Sequence, residues 1–540
     1  MLTCITLFFW QLDAYSLFDR TETETAEVAR QMWERGDLVT PFFNDVRYFD
    51  KPVLLYWLIA AGFTVFGMGE WAVRFPSAVF ATLLVIGTWL FVARLINQRT
   101  ALFAATMLAA NPFVFGLGRT GVTDIGLTFF LAGALYSWYW SYSSQKREGY
   151  LWFFALLALA VSIKGPLALV LCTLIIGIFL VWTSGWRAVL LSMPWIWGTL
   201  LFVGLTLPWY ILVTWANGWD FINTFFVHHN VNRFLNVIDK QPGPWYYYLL
   251  YTPGGFFPWI VLLPLGFRHL RFSSGYWQHQ PANRQLDLFM AIWFVVVLVF
   301  LSSASTKLPH YIAPALPALA FLCARAWEVQ TREPGRGLRL GLGIISGGLV
   351  ALAAGFAFVL DFVRDPALPE LQTSIERTGT PWFLAAVCLA AAVGVLFSLV
   401  RRQAFWAWAI SLLTFATIGL TAIDRLMPVL EGQIHGHLLD IADILRREAD
   451  SGYYPATLGV YAPSLNFYSG IDRIPVYESR AQVRYRLAKN EHLLLVTTDA
   501  RLSQTGLDLT TYKPVRSAGI YKLFVLPPSA YANVCKVPCQ

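Results

Sequence analysis

The amino-acid sequence predicts an all-α polytopic membrane protein that ends in a small soluble α/β domain. The chain of 540 residues is 57% hydrophobic and only 13% charged, with a mean hydropathy of +0.53, which excludes an ordinary soluble protein. Apolar runs recur from the N-terminus to about residue 421, and a mixed polar and apolar pattern follows. The net charge of +8 needs no nucleic-acid partner, because cytoplasmic loops of membrane proteins favour Lys and Arg.

The apolar runs predict about thirteen membrane spans. The first run, Met1 to Leu12, is too short to span alone, so we expect the chain to begin inside its first membrane helix. The run at 52–67 is also short and predicts an interfacial or re-entrant helix. The remaining spans are predicted at 71–92, 100–117, 125–143, 151–163, 166–183, 189–212, 254–268, 286–301, 311–325, 339–359, 381–400 and 404–421.

Basic clusters fix the orientation of these spans. They recur two crossings apart, which is the positive-inside pattern, and lie at Arg94 and Arg99, Lys146 and Arg147, Arg187, 268–284, 325–339 and 401–402. The N-terminus is then cytoplasmic and the C-terminus lies outside. Residues 1–426 form a transmembrane domain with external loops at 13–71, which carries juxtamembrane helices, and at 213–253. Residues 427–540 form the external α/β domain.

In the tail, HLLDIADILRREAD predicts an amphipathic helix, and LGVYAPS, HLLLVTTDA and GIYKLFVLPP predict strands. Cys535 and Cys539 form a disulfide or stay free, and the spacing alone leaves this open. Neither a nucleotide-binding glycine loop nor a catalytic constellation is evident in this tail.

The predicted topology places an unusual set of polar residues on the outer face. Ionisable groups at membrane depth are costly and usually line a cavity or a site. Each residue alone is also compatible with a side chain that snorkels to the interface, but their convergence favours an external site. The set is Lys51, Arg119, Asp124, Lys164, His228, His229, Arg233, Lys240, Lys307 and His310.

Lysines and arginines beside an outer leaflet suit an anionic lipid headgroup, above all a phosphate. The cations predicted to bind it are Lys51, Arg119, Lys164, Arg233 and Lys307. Tyr48, Tyr311 and the WYYY run at 245–248 supply amphipathic rings suited to sugars and to the interface. The stretch SSASTKLPHYIAPALP at 302–317 is too rich in polar residues for a bland helix connection.

Four motifs carry a resemblance to a known family: RYFDKPVLLYWL at 47–58, KGP at 164–166, PWY at 208–210 and TKLPHYIAPALPALA at 306–320. They resemble the bacterial aminoarabinose transferases, and GRTGVTD at 118–124 is similar to that family's second external loop. The resemblance covers about residues 13–320 and implies the glycosyltransferase C fold. It also implies transfer of 4-amino-4-deoxy-L-arabinose from undecaprenyl phosphate to lipid A phosphates, at the periplasmic face of the inner membrane. Resistance to polymyxin and other cationic peptides would follow.

The resemblance assigns roles to particular residues. Lys51 and Tyr311 match positions that hold the carrier phosphate, and Asp124 matches the acidic residue of the second loop. The family usually has Asp-Glu where this chain has Thr21-Glu22. Either Asp19 or Glu22 therefore takes over the carboxylate role, or the role is dispensable. The other candidate substrate-binding residues are Lys307, Arg233, Arg119, Lys164, Tyr48 and His310.

A phosphate acceptor is already ionised near neutral pH, so it needs positioning rather than a base. The carboxylates would bind the cationic sugar or stabilise developing charge, and cations would stabilise the leaving lipid phosphate. We expect no cofactor. A metal held by Asp50, His228 and His229 is a weak alternative, since adjacent histidines are not a dependable ligand pattern.

Two other functions remain open. A polyprenyl-phosphate-dependent protein O-glycosyltransferase, or another outer-leaflet glycan transferase, would keep the fold but need a base for its hydroxyl acceptor. A transporter of lipid-linked sugars would show internal repeats with paired broken helices, and the sequence has no such pattern.

Overall fold

The computed structural model describes residues 2–237, 241–268, 270–332, 335–363, 368–449 and 451–533. Lys240 and the pair Cys535 and Cys539 lie outside the described residues. Within them, seven helices are long and apolar enough to cross a membrane, or eight if the pair Tyr247–Gly255 and Trp259–Arg268, bent by 110°, is one span. The chain is thus a multi-pass helical membrane protein.

The seven long apolar helices are Glu70–Leu95, Trp195–Asn217, Leu286–Ser303, Pro309–Arg332, Arg336–Phe362, Thr380–Val400 and Ala404–Glu448. Shorter or less apolar helices precede and separate them: Leu2–Phe9, Thr21–Arg35, Leu54–Phe66, Gln98–Ala109, Pro112–Leu117, Thr123–Ser144, Glu148–Lys164, Leu167–Thr183, Trp186–Ser192, Ile222–Asn232, Arg233–Leu235, Ser274–Gln278 and Leu371–Arg377.

Several predicted spans are interrupted or short, for local reasons. The span predicted at 100–117 breaks where the Asn111 side chain accepts a hydrogen bond from the Val114 amide and caps a new helix that begins at Pro112. Helices Glu148–Lys164 and Leu167–Thr183 have 17 residues each. At 1.5 Å per residue they are about 26 Å long, slightly less than an apolar bilayer core. The count of about thirteen spans therefore stays a prediction.

Aromatic packing places helix Thr123–Ser144 at the centre of the helical part. The Trp138 ring stacks on Phe289 of helix Leu286–Ser303, with ring centroids 5.7 Å apart, and meets Phe179 edge-on at 5.9 Å. The same helix contacts the 3-10 segment Pro309–Ala315, and Asp124 in its first turn lies 4.0 Å from His310. Asp124 is thereby brought beside the TKLPHY motif.

The first polar stretch folds into a helix and a short ribbon. Helix Thr21–Arg35, the loop helix, ends at Gly36 in the left-handed region (φ 66°), which glycine adopts without strain. Strands Phe42–Phe43 and Val46–Arg47 then pair antiparallel. Helix Leu54–Phe66 follows, at the position of the predicted interfacial helix.

One buried ion pair joins the loop helix to helix Glu70–Leu95. The guanidinium of Arg74 donates to both carboxylate oxygens of Glu22, from Nε at 2.9 Å and Nη2 at 3.0 Å. Arg74 also donates to the carbonyl oxygens of Leu12, Tyr15 and Ser16. Both side chains are almost fully buried, so the pair fixes the path of residues 12–22 over the membrane helix.

The C-terminal segment contains a five-stranded sheet in the order Val476–Tyr477, Tyr454–Leu458, Leu493–Thr498, Tyr521–Leu526, Arg516–Ala518. The first three strands are parallel, and the last two are antiparallel to their neighbours. Helices Pro463–Ser469, Arg480–Leu487, Asp499–Thr505 and Ala530–Asn533 accompany it.

The strands within HLLLVTTDA and GIYKLFVLPP lie where the sequence predicts them, as does the amphipathic helix, at Gly436–Ala449. The strand predicted over LGVYAPS is misplaced. The strand is Tyr454–Leu458 and ends where that motif begins, because Gly459 turns in the left-handed region and Pro463 opens a helix. The boundary predicted at 426/427 falls inside the continuous helix Ala404–Glu448.

We expect Glu22→Ala to destabilise the protein severely. The substitution leaves the Arg74 guanidinium buried without its counter-charge, and breaking one side of a buried pair costs about 3–5 kcal/mol. Thermal unfolding of the purified protein in detergent measures the effect. Glu34→Ala on the same helix is the control, because the Glu34 side chain is 39% exposed; equal losses in the two variants would contradict a special role for the buried pair.

Candidate active site

Asp50 is the centre of a first group of charged side chains. Its Oδ1 lies 2.9 Å from Nδ1 of His229 and 3.1 Å from Nη1 of Arg233, and its Oδ2 lies 3.5 Å from Nζ of Lys51. Burial opposes ionisation of Asp50, but the surrounding Lys51, His229 and Arg233 outweigh it and hold the pKa of the carboxyl well below its usual range. Asp50 is therefore an anion that orients three basic side chains.

The local fold explains how these residues meet. Phe49 is buried and packs edge-on against Phe221, with centroids 5.3 Å apart. Phe221 directly precedes the π-helical segment Ile222–Asn232, which carries His229 and leads into Arg233. One aromatic contact thus holds the segment that carries Asp50 against the segment that carries His229 and Arg233. π-Helical turns are frequent at functional sites.

Asp124 is the centre of a second group. Its Oδ1 accepts from Nζ of Lys164 at 2.5 Å, and Nε2 of His310 lies 4.0 Å from its Oδ2. The Lys164 ammonium also lies over the Tyr311 ring, 4.7 Å from the centroid, which adds a cation–π contact. Asp124 is only 6% exposed. Asp124, Lys164 and the TKLPHY motif therefore form one cluster.

The two groups form a single electrostatic unit. Lys51 interacts with Asp124, Lys164 and His310, and Arg233 interacts with Lys164. Three basic side chains, Lys51, Lys164 and Arg233, stand against the two carboxylates Asp50 and Asp124. The unit carries a net positive charge and is suited to an anion that brings further oxygen acceptors.

Tyr48 links this unit to the loop helix. Its hydroxyl donates to Oε2 of Glu24 at 3.3 Å, and the hydroxyl of Tyr461 donates to Oε1 at 2.7 Å. Burial raises the pKa of the Tyr48 phenol, and the negative charges of Asp50 and Glu24 raise it further. Tyr48 is thus a neutral hydroxyl between two carboxylates.

Two of the cations predicted to bind the phosphate, Arg119 and Lys307, donate to backbone carbonyl oxygens instead. Arg119 is 2% exposed and donates to the carbonyl oxygens of Leu7 at 3.2 Å and Gln11 at 2.9 Å. Lys307 is 4% exposed and donates to the carbonyl oxygens of Gly243, at 3.1 Å, and Ala304. Burial lowers the pKa of Lys307. Their substrate-binding roles stay predictions, and the structure brings neither into contact with Asp50 or Asp124.

The two first-loop carboxylates proposed as catalytic are also engaged elsewhere. Glu22 accepts from Arg74 and from the amides of Phe18 and Gly121, at 2.9 Å and 2.8 Å. Asp19 accepts from the Ser464 amide at 2.9 Å, from the Ser464 hydroxyl at 2.7 Å and from the Thr23 hydroxyl at 2.6 Å. The structure does not bring either into the unit around Asp50 and Asp124.

Sequence reasoning gave no role to Glu24 or Tyr461. Glu24 lies among the acidic residues Asp19, Glu22 and Glu27, and nothing in the sequence distinguishes it from them. Tyr461 lies 437 positions away, in the tail, where no constellation was evident. The alternative metal set is only partly assembled: His228 is exposed and contacts His229 ring to ring at 4.9 Å. Within the described ranges, no three His, Cys, Asp or Glu side chains are arranged to hold a metal ion.

Comparison with known proteins gives one consistent set of relatives. A family model described as dolichyl-phosphate-mannose-protein mannosyltransferase matches residues 50–212. The undecaprenyl phosphate-alpha-4-amino-4-deoxy-L-arabinose arabinosyl transferase of Shewanella sediminis is 29% identical over 438 residues, 78% of this chain and 77% of the relative. The enzyme of the same name from Pectobacterium atrosepticum is 29% identical over 501 residues, 89% of this chain and 84% of the relative.

Among solved structures, the chain resembles the crystal structure of ArnT from Cupriavidus metallidurans bound to undecaprenyl phosphate. The TM-score is 0.80, the sequence identity is 20%, and the match covers 100% of this chain and 98% of the other. At this identity the similarity establishes the fold. It agrees with the helical glycosyltransferase C architecture that the motifs imply.

Proposed function

Since the chain belongs to the aminoarabinose transferase family, as its motifs predicted, we propose that it transfers 4-amino-4-deoxy-L-arabinose from undecaprenyl phosphate to lipid A phosphates. The reaction would take place at the periplasmic face of the bacterial inner membrane and would give resistance to polymyxin. The observation that carries the proposal is the net positive unit around Asp50 and Asp124, built from the family motifs.

We propose that the protein is arranged in the membrane as the sequence predicts. Residues 1–426 form the glycosyltransferase domain, with about thirteen spans, and residues 427–540 form an α/β domain in the periplasm. The basic clusters, such as Arg94 and Arg401, then face the cytoplasm, and the site faces outward. Membrane lipids surround the transmembrane domain, and both substrates reach the site from the outer leaflet.

The proposed reaction breaks the bond between the anomeric carbon of the sugar and the carrier phosphate oxygen. A phosphate oxygen of lipid A forms the new bond to that carbon, and undecaprenyl phosphate leaves with the bonding electrons. Lys51, Arg233 and the Tyr311 hydroxyl bind the carrier phosphate and stabilise its growing charge. Asp124, held by Lys164, faces the sugar and stabilises positive charge that develops at its ring.

This arrangement supports a phosphate acceptor over a hydroxyl acceptor. A hydroxyl must lose its proton during attack, which requires a free general base. The buried Asp124 carboxylate is already paired with the Lys164 ammonium at 2.5 Å, and Asp50 is surrounded by three basic side chains. Neither of these two carboxylates is free to accept a proton, whereas an ionised phosphate needs only to be positioned.

The decisive test is mass spectrometry of lipid A from a polymyxin-sensitive strain that lacks its own transferase and makes the donor. Expression of this chain should add the mass of aminoarabinose to lipid A and raise polymyxin resistance. Unchanged lipid A, in cells shown to contain both protein and donor, would refute the acceptor. Sugar on a periplasmic protein would favour the O-glycosyltransferase instead.

We expect Lys51→Ala to weaken binding of undecaprenyl phosphate by about 10- to 100-fold, because one charge-assisted contact to the phosphate is worth about 1.5–3 kcal/mol. Tyr311→Phe should weaken it less, by about 3- to 10-fold, because a neutral hydrogen bond contributes less. Native mass spectrometry or lipid-induced thermal stabilisation measures both. Lys146→Ala, an exposed lysine at the opposite membrane face, is the matched control, and equal affinity in all variants would remove the phosphate-site assignment.

Asp124→Asn should lower kcat by at least about 100-fold while carrier binding stays within about 3-fold, because the substitution removes a charge that acts on the sugar and keeps the side chain's shape. Thr21→Ala, on an exposed residue of the loop helix, should retain nearly full activity. The reverse order of the two losses would show that Thr21, and not Asp124, occupies the important position.

A further inference from the structure

Glu24 has an environment unlike that of the other carboxylates in the first loop. It is half-buried, and both of its oxygens accept from tyrosine hydroxyls, Tyr461 at 2.7 Å and Tyr48 at 3.3 Å. Tyr461 is 40% exposed, so the group opens to the surface. Two phenol donors orient the carboxylate and leave acceptor positions for a ligand.

Glu24 also lacks a counter-charge. Glu22 pairs with Arg74, and Glu27 pairs with Arg30, whereas Glu24 forms no ion pair within the part of the chain that the structure describes. The guanidinium of Arg20 stacks on the Tyr461 ring, 5.2 Å from the centroid. A half-buried carboxylate held only by neutral donors is suited to a cationic ligand.

This carboxylate lies beside the proposed phosphate site. Tyr48, its donor, is two residues from Asp50 in the chain, and Tyr48 and Tyr56 each interact electrostatically with both Asp50 and Glu24. Lys51 and Arg233 contact Asp50, and Glu24 contacts Tyr48 two residues earlier in the chain, so positive and negative charges lie near one another here. A ligand that fits this arrangement carries a phosphate at one end and a cation at the other.

We propose that Glu24, oriented by Tyr48 and Tyr461, binds the ammonium group of the donor sugar and selects an amino sugar over a neutral one. This inference rests on the proposed function. The ammonium donates charge-assisted hydrogen bonds to the carboxylate. A neutral sugar that covers Glu24 leaves the carboxylate without a counter-charge, which is the basis for rejection. Glu24 is a specificity-determining residue that does not act on the reacting atoms.

The test compares two donors: undecaprenyl phosphate-linked 4-amino-4-deoxy-L-arabinose and its 4-hydroxy analogue, undecaprenyl phosphate-linked L-arabinose. The wild-type protein should prefer the amino donor by at least about 10-fold in kcat/KM. Glu24→Gln keeps an oxygen acceptor for the tyrosines but removes the charge. It should lower kcat/KM for the amino donor by about 10- to 100-fold, mainly through KM, and change the hydroxy donor by less than about 3-fold.

Two further variants make the test specific. Tyr461→Phe should reduce the preference for the amino donor by about 3- to 10-fold, since it removes one orienting hydrogen bond. Glu34→Gln makes the same chemical change on the same helix, at a residue paired with Arg30, and should leave both donors within about 2-fold. Equal loss on both donors in Glu24→Gln would mean a purely structural role and overturn the inference. A wild-type protein that transfers neither sugar would instead refute the proposed function, and this inference with it.

Discussion

The buried pair between Glu22 and Arg74 is the contact on which the arrangement of the first loop depends. An unpaired ion at this depth would cost several kcal/mol, so the loop cannot leave helix Glu70–Leu95 without exposing or stranding a charge. Arg74 also binds three carbonyl oxygens of residues 12–16, which satisfies backbone that would otherwise be buried without partners. The pair thereby fixes where the loop helix begins and, through it, where the ribbon and Asp50-Lys51 lie.

Charge balance then separates the carboxylates into different roles. Glu22 is neutralised by a single arginine and holds the start of the loop helix against helix Glu70–Leu95. Asp50 orients three basic side chains. Asp124 neutralises Lys164, whose ammonium also lies over the ring of Tyr311 in the TKLPHY motif. Basic side chains outnumber carboxylates in this unit, so the phosphate that we propose to bind there would balance its charge. The Glu22–Arg74 pair, in contrast, is balanced internally.

The sequence was enough to predict that Lys51, Lys164, Arg233 and His310 lie close together. The positive-inside pattern assigns each loop to one face of the membrane, and it does so without knowledge of side-chain contacts. The topology prediction could not separate those residues from Arg119 and Lys307. It assigns both of these to the same outer face, but in the structure they donate to backbone carbonyl oxygens. A buried structural cation and a ligand-binding cation have the same sequence pattern. The role of Tyr461 was equally hidden, because its partner Glu24 lies hundreds of residues away and only the folded chain brings them together.

The loop helix also packs against the C-terminal segment. Glu24, Glu27 and Gln31 follow the i, i+3, i+7 spacing of one helix face. On that face Glu24 binds Tyr461, and Gln31 donates to the Asp472 carbonyl at 3.0 Å. The same helix carries Glu22, which pairs with Arg74 of helix Glu70–Leu95. The loop helix is therefore fixed both to a membrane helix and to the C-terminal segment. Displacement of the C-terminal segment would separate Tyr461 from Glu24, so the proposed recognition of the sugar depends on how that segment packs against the loop helix.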